Sequence, residues 1–164
     1  MTQTLKLQFS HQSYQTEAVN AVVGVFDGQP MASHGFALAR QHSSVRHAGD
    51  GSVGNHLVLA PEQLLANVQK VQAKNFVDAN GKPDVRKQST ELMGDNGVPH
   101  FSLEMETGTG KTYVYTHTIF ELHKRYGINK FIIAVPSIAI KAGTSTFLNE
   151  TYVKAHFKNT LGYD

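Results

Sequence analysis

Apolar positions along this chain recur at helical spacing in four stretches and alternate or run together in three others. Leu5–Phe9 alternates apolar with polar, as a short half-buried strand does. After Ser13, the residues Ala18, Ala21, Val22, Val25 and Phe26 trace one helical face. Ser13 reads as its N-cap, and Asp27–Pro30 as its stop. Pro61 suits the first turn of a second helix, whose face is Leu64, Leu65, Val68, Val71 and Gln72. His100–Glu106 predicts a strand, and Lys111–Tyr126 a helix closed by Gly127. Lys130–Val135 is almost continuously apolar, the pattern of a strand buried on both faces, and a further helix follows Pro136.

This order of elements predicts the α/β class with a parallel sheet. It divides the chain into an N-terminal strand and helix (1–30), an insertion (31–60), a helix with a turn-rich connector (61–99) and an α/β core (100–164). Residues 31–55 are rich in Ser, Gly and His without periodicity, and read as a flexible insertion.

Composition narrows the picture slightly. A chain of 164 residues with 40% apolar and 17% charged residues suits one soluble domain. No apolar run approaches the ~20 residues that cross a bilayer, and the N-terminus lacks the layout of a signal peptide, so no membrane partner is expected. With no cysteine, disulfides and thiolate metal sites are excluded, and a cytoplasmic address is favoured. A net charge of +2 permits nucleic-acid binding without arguing for it. The nine histidines show no metal-ligand spacing; those on the helix after Gly110, His117 and His123, read as exposed or capping.

Candidate chemistry lies at Met105–Thr112, "METGTGKT". A phosphate loop has the pattern G-x-x-x-x-G-K-[ST]. Gly110, Lys111 and Thr112 fit it, while Met105 stands at the first glycine position. Gly108 and Gly110 allow the backbone N–H groups around Thr107 and Thr109 to turn inward on an anion. A helix starting at Lys111 adds its own N–H groups and the positive end of its dipole. The Lys111 ammonium would meet the β- and γ-phosphates of ATP, and the Thr112 hydroxyl would ligate Mg²⁺. The bland alternative is a glycine turn that caps a helix. The strand before it and the buried strand after it favour the nucleotide site.

"METGTGKT" resembles motif I of superfamily-2 helicases and translocases, in which the first glycine is commonly replaced. More closely, Phe101–Gly143 resembles the restriction (Res) subunit of type III restriction enzymes, with weaker likeness in Asn55–Gln72 and Tyr14–Val23. That resemblance implies the first strands and helices of a RecA-like P-loop domain that uses ATP and Mg²⁺. It implies an adenine-reading role for Tyr14 and Gln15, whose alternative is an ordinary first helical turn. It implies contact of Ser137 and Lys141 with the DNA backbone, whose alternative is a plain turn with a solvated lysine. Double-stranded DNA and a modification methyltransferase are the partners it implies.

Such motors also carry a D-E-x-H motif, a second RecA-like domain and a nuclease domain. The sequence contains no Asp-Glu pair. It therefore reads as the opening segment of a longer protein, able to bind ATP but not to hydrolyse it alone, with open sheet edges and an exposed apolar face. A non-catalytic remnant or interaction module is one competing reading. A small P-loop phosphotransferase is another, and Met105 and the arginine-poor tail count against it.

Overall fold

The computed structural model describes residues 9–10, 12–31, 55, 57–94 and 97–163. The expected strand at Leu5–Phe9 lies outside them except for Phe9, as does the insertion at 31–55 except for Met31 and Asn55.

Five α-helices are described: α1 (Ser13–Gly24), α2 (Pro61–Asn75), α3 (Lys111–Tyr126), α4 (Ile138–Asn149) and α5 (Thr151–Leu161). The first differs slightly from expectation at its start. Ser13 is already helical, Gln12 takes the N-cap position, and no side chain caps the end. Pro61 opens α2 as anticipated, because a residue without an N–H costs nothing in a first turn. Gly127 ends α3 in the left-handed region at φ 69°, with its N–H donating to the His123 carbonyl. The pattern after Pro136 becomes α4, and α5 is an element the periodicity did not single out.

Helix α3 is the hub. Val114 and Leu122 on one side pack with Ala18, Val19 and Val23 of α1, and Phe26, Met105, Tyr126 and Phe131 seal the edges. Tyr113 and Phe120 pack instead on Val153 and Phe157 of α5 and on Tyr163. Buried Thr116 and Thr118 satisfy their hydroxyls on the carbonyls of Thr112 (2.7 Å) and Val114 (2.8 Å). A third cluster joins Leu64 and Val68 of α2 to Val25, Leu59 and Leu92. There the Asn67 amide donates to the carbonyls of Val25 (3.0 Å) and Asp27 (2.8 Å), tying α2 to the end of α1.

Helix α1 is apolar on more than the face its spacing suggested. Val19 and Val23, each 1% exposed, make the α3 contact. Ala18, Ala21, Val22 and Val25 line an open groove of about 820 Å³ shared with α2 and with residues 100–106.

The strands expected at His100–Glu106 and Lys130–Val135 are the main departure. Both segments run without regular structure, and among the described residues pairing is limited to two isolated antiparallel bridges, Val77–Pro83 and Met93–Pro99. A strand exists only when a neighbour receives its N–H and C=O groups at about 4.8 Å. Among the described residues neither segment has such a neighbour, apart from the His100 N–H, which donates to the Leu92 carbonyl at 2.9 Å. Met105 and Phe131 still reach the α1–α3 core, but Ile132 is 97% exposed where burial on both faces was expected. The parallel sheet is thus not formed among the described residues.

Candidate functional site

The turn at Thr107–Gly110 links residues 100–106 to α3 and is shaped by its two glycines. Gly108 has φ 83° and Gly110 φ 86°, a region costly to any residue with a Cβ. The Thr109 hydroxyl donates to the Glu106 carbonyl at 2.7 Å, closing the turn on itself. Gly110 serves as the N-cap of α3, and no side chain caps the helix. The N–H groups of its first turn are therefore left for an outside acceptor. Among the described residues the exposed Lys111 forms no ion pair and the hydroxyl of half-buried Thr112 makes no hydrogen bond. Loop, helix end, cation and hydroxyl are consecutive along the chain at the start of α3.

Tyr14 and Gln15, remote in sequence, come to the same turn. The Tyr14 hydroxyl donates to the Thr109 carbonyl at 3.2 Å, and the Gln15 amide nitrogen donates to the same oxygen at 2.8 Å. A Cβ on Gly110 would stand 2.5 Å from that nitrogen, so the bare backbone at Gly110 admits Gln15. A Cβ on Gly108 would meet nothing within 4 Å, leaving that side of the turn open. Gln15 has a second amide hydrogen and a carbonyl oxygen remaining, which is the donor and acceptor pair that a planar ligand edge requires. Tyr14, 43% exposed, offers its ring beside it.

Among the described residues no hydrogen bond joins Ser137 or Lys141 to this group. Ser137 is the N-cap of α4, its Oγ accepting from the Ile140 N–H at 3.3 Å, so its oxygen already serves the helix. Lys141 is exposed, and its backbone N–H bonds the Ser137 carbonyl at 3.0 Å. Contact between α4 and α3 includes the Tyr115 hydroxyl donating to Thr144 Oγ1 at 3.1 Å.

The histidines divide. His123 is exposed near the end of α3, its Nδ1 3.2 Å from the Ile128 carbonyl, as a capping residue would be. His117 departs from expectation. It is half-buried, with Nε2 3.1 Å from the Tyr163 hydroxyl, and burial lowers its pKa. The same holds for His156 of α5, whose Nε2 lies 3.0 Å from the Tyr113 hydroxyl and whose pKa burial also lowers. The Tyr163 hydroxyl donates to Glu121, which also receives Arg125 at 2.5 Å. Burial opposes the charge on Glu121, but these two hydrogen bonds and the Arg125 charge outweigh it and hold the carboxyl below its ordinary range. Burial, then the Glu121 contact, pushes the Tyr163 phenol up. His34, His42 and His47 lie outside the described residues. Tyr113 and Phe120, seven residues apart on α3, were the available signal for this cluster, and the sequence pattern did not single them out.

The family model described as "Type III restriction enzyme, res subunit" matches residues 8–162. The Res subunit of the type III restriction-modification enzyme EcoPI of Escherichia phage P1 is 43% identical over 147 residues, 89% of this chain. That of EcoP15I from Escherichia coli is 44% identical over 146 residues. The StyLTI Res subunit of Salmonella typhimurium is 50% identical over 58 residues, 35% of this chain. The chain spans about 13% of the length of the first two relatives. The match along nearly its whole length shows that the chain belongs to the res-subunit family of type III restriction enzymes, whose domain is of the P-loop, RecA-like helicase class.

Proposed function

We propose that this chain is the ATP-binding segment of a DNA-dependent ATPase or translocase of the type III restriction kind. The observation that carries the reading is the meeting of Tyr14 and Gln15 on the Thr109 carbonyl, at the loop that precedes Lys111. A glycine turn that merely capped a helix would have no need of an amide and a phenol from another segment. Thr107–Gly110 and the open start of α3 supply inward N–H donors for the phosphates. Lys111 adds a mobile positive charge over the β- and γ-phosphates, and Thr112 one oxygen ligand for Mg²⁺. Gln15, fixed by Thr109, reads the adenine edge with its remaining hydrogen and its carbonyl, and Tyr14 stacks on the base.

Bound ATP alone is not a motor stroke. Without an Asp-Glu pair the sequence offers no acid of that type to orient the attacking water, so turnover by this chain alone is expected to be very slow. Double-stranded DNA and a modification methyltransferase are the partners this reading assigns to the intact protein, with Ser137 and Lys141 on the DNA backbone. Since the Ser137 oxygen is engaged at the α4 cap, the DNA phosphate would be met by N–H groups at that helix start and by the Lys141 ammonium. A non-catalytic interaction module is favoured by one observation, the exposure of Ile132 (97%) and Ile138 (87%). Titrating the chain with a fluorescent ATP analogue and Mg²⁺, beside Lys111→Ala, separates the two: saturable binding lost in the variant supports the motor segment, and a folded chain that binds nothing supports the module.

A further inference from the structure

Two segments converge on the imidazole of His156 on α5. The Phe9 ring stands 4.6 Å from it, centroid to centroid, and belongs to the stretch that leads into Tyr14 and Gln15. The Tyr113 ring stands 5.6 Å from it, and the Tyr113 hydroxyl lies 3.0 Å from Nε2. Phe9 and Tyr113 also touch one another, at 5.5 Å. Tyr113 lies in the first turn of α3, and its Cβ is 3.9 Å from where a Cβ on Gly110 would stand, on the position that Gln15 approaches at 2.5 Å. His156 thus contacts Tyr113, which adjoins Gly110, and Phe9, which lies six residues before Gln15 in the chain.

We propose that His156 is a positioning residue for the phosphate loop: it fixes the first turn of α3 against the segment that presents Tyr14 and Gln15. The inference rests on the nucleotide reading of that loop for its consequence in binding, but its mechanical part does not. Tilted ring packing supplies the shape of the contact, and the hydrogen bond to Tyr113 supplies its register. A ring without a nitrogen at this place would keep the packing and lose the register. Conversely, removing only the Tyr113 oxygen breaks the same bond from the other side.

The test uses the chain with His156→Phe, Tyr113→Phe and both together. It reads the affinity for a fluorescent ATP analogue with Mg²⁺ and the hydrogen exchange of residues 107–116 without nucleotide. Each variant is expected to bind about fivefold more weakly, since one net hydrogen bond is lost. The double variant should lose no more than either single one. Exchange of residues 107–116 should quicken while that of α2 stays unchanged, a pattern that general destabilisation does not produce. If wild type binds, Lys111→Ala does not, and the two variants match wild type in affinity and exchange, the positioning role is overturned while the nucleotide reading stands. If wild type does not bind at all, the nucleotide reading falls and exchange alone decides: quickening supports the coupling, and no change overturns it. Should His156→Phe fail to fold, Tyr113→Phe, which deletes a single atom, carries the test.

Discussion

Substituting alanine at Gly110 probes the loop and its partner together. Gly110 sits at φ 86°, where an L-residue costs about 1–2 kcal/mol over glycine. The new Cβ would also stand 2.5 Å from Gln15 Nε2. That nitrogen ends a flexible side chain, so it swings away rather than holding the clash. In doing so it abandons the 2.8 Å bond to the Thr109 carbonyl, a further loss of about 1 kcal/mol. The expected total for Gly110→Ala is therefore about 2–3 kcal/mol. Gly108→Ala is the control: its φ of 83° is equally unsuited, but its Cβ meets nothing, so only about 1–2 kcal/mol is expected. Gln15→Ala should cost about 1 kcal/mol alone, and in a Gly110→Ala background almost nothing more, because the bond is already lost. Urea unfolding of the four proteins measures all of this at constant m-value. Equal losses for Gly108→Ala and Gly110→Ala, with Gln15→Ala additive to the latter, would refute the account of Gln15 resting on a bare Gly110.

Two further predictions concern other elements. Ser137→Ala should cost about 1 kcal/mol, because the Ile140 N–H loses its acceptor, whereas Lys141→Ala should leave stability within about 0.5 kcal/mol; urea unfolding distinguishes them. Acid should destabilise the chain in a defined window. Since burial lowers the pKa of His117 and His156 in the folded state, the unfolded chain binds more protons as pH falls below the ordinary value of 6.5. Stability is then greatest above 6.5 and declines as pH drops, and the depressed Glu121 carboxyl extends the decline below its ordinary 4.5. Unfolding midpoints measured between pH 8 and 4 check this, and a midpoint that rises on acidification contradicts it.

Much of the helical frame was legible because it is written in local terms. Pro61 at a first turn and Gly127 past a last one mark boundaries that depend on backbone geometry alone. The same is true of the loop, where Gly108 and Gly110 adopt the conformation their lack of a side chain allows. Legibility failed where the answer depends on a neighbour. Residues 130–135 look like a buried strand, yet a strand is a property of a pair, and the described residues supply no second member. Val19 and Val23 escaped notice because α1 is apolar on two faces, and spacing identified the one that lines the groove. His117 read as exposed or capping, and His156 was not singled out, because nothing local announces that a tyrosine from another segment will meet each ring. Ser13 is the right residue type for a cap but stands one position late, since the chain enters the helix at Gln12.

We infer that the turn at Thr107–Gly110, with Lys111 and with Gln15 behind it, is a working adenine-nucleotide site. Competition of ATP and GTP against a fluorescent ATP analogue, with Mg²⁺ and beside Lys111→Ala, addresses it most directly. Expected are saturable binding, displacement by ATP at lower concentration than by GTP, and loss of binding in Lys111→Ala with the fold intact. A folded wild-type chain that shows no saturable binding, or that binds as well with alanine at Lys111, would contradict it.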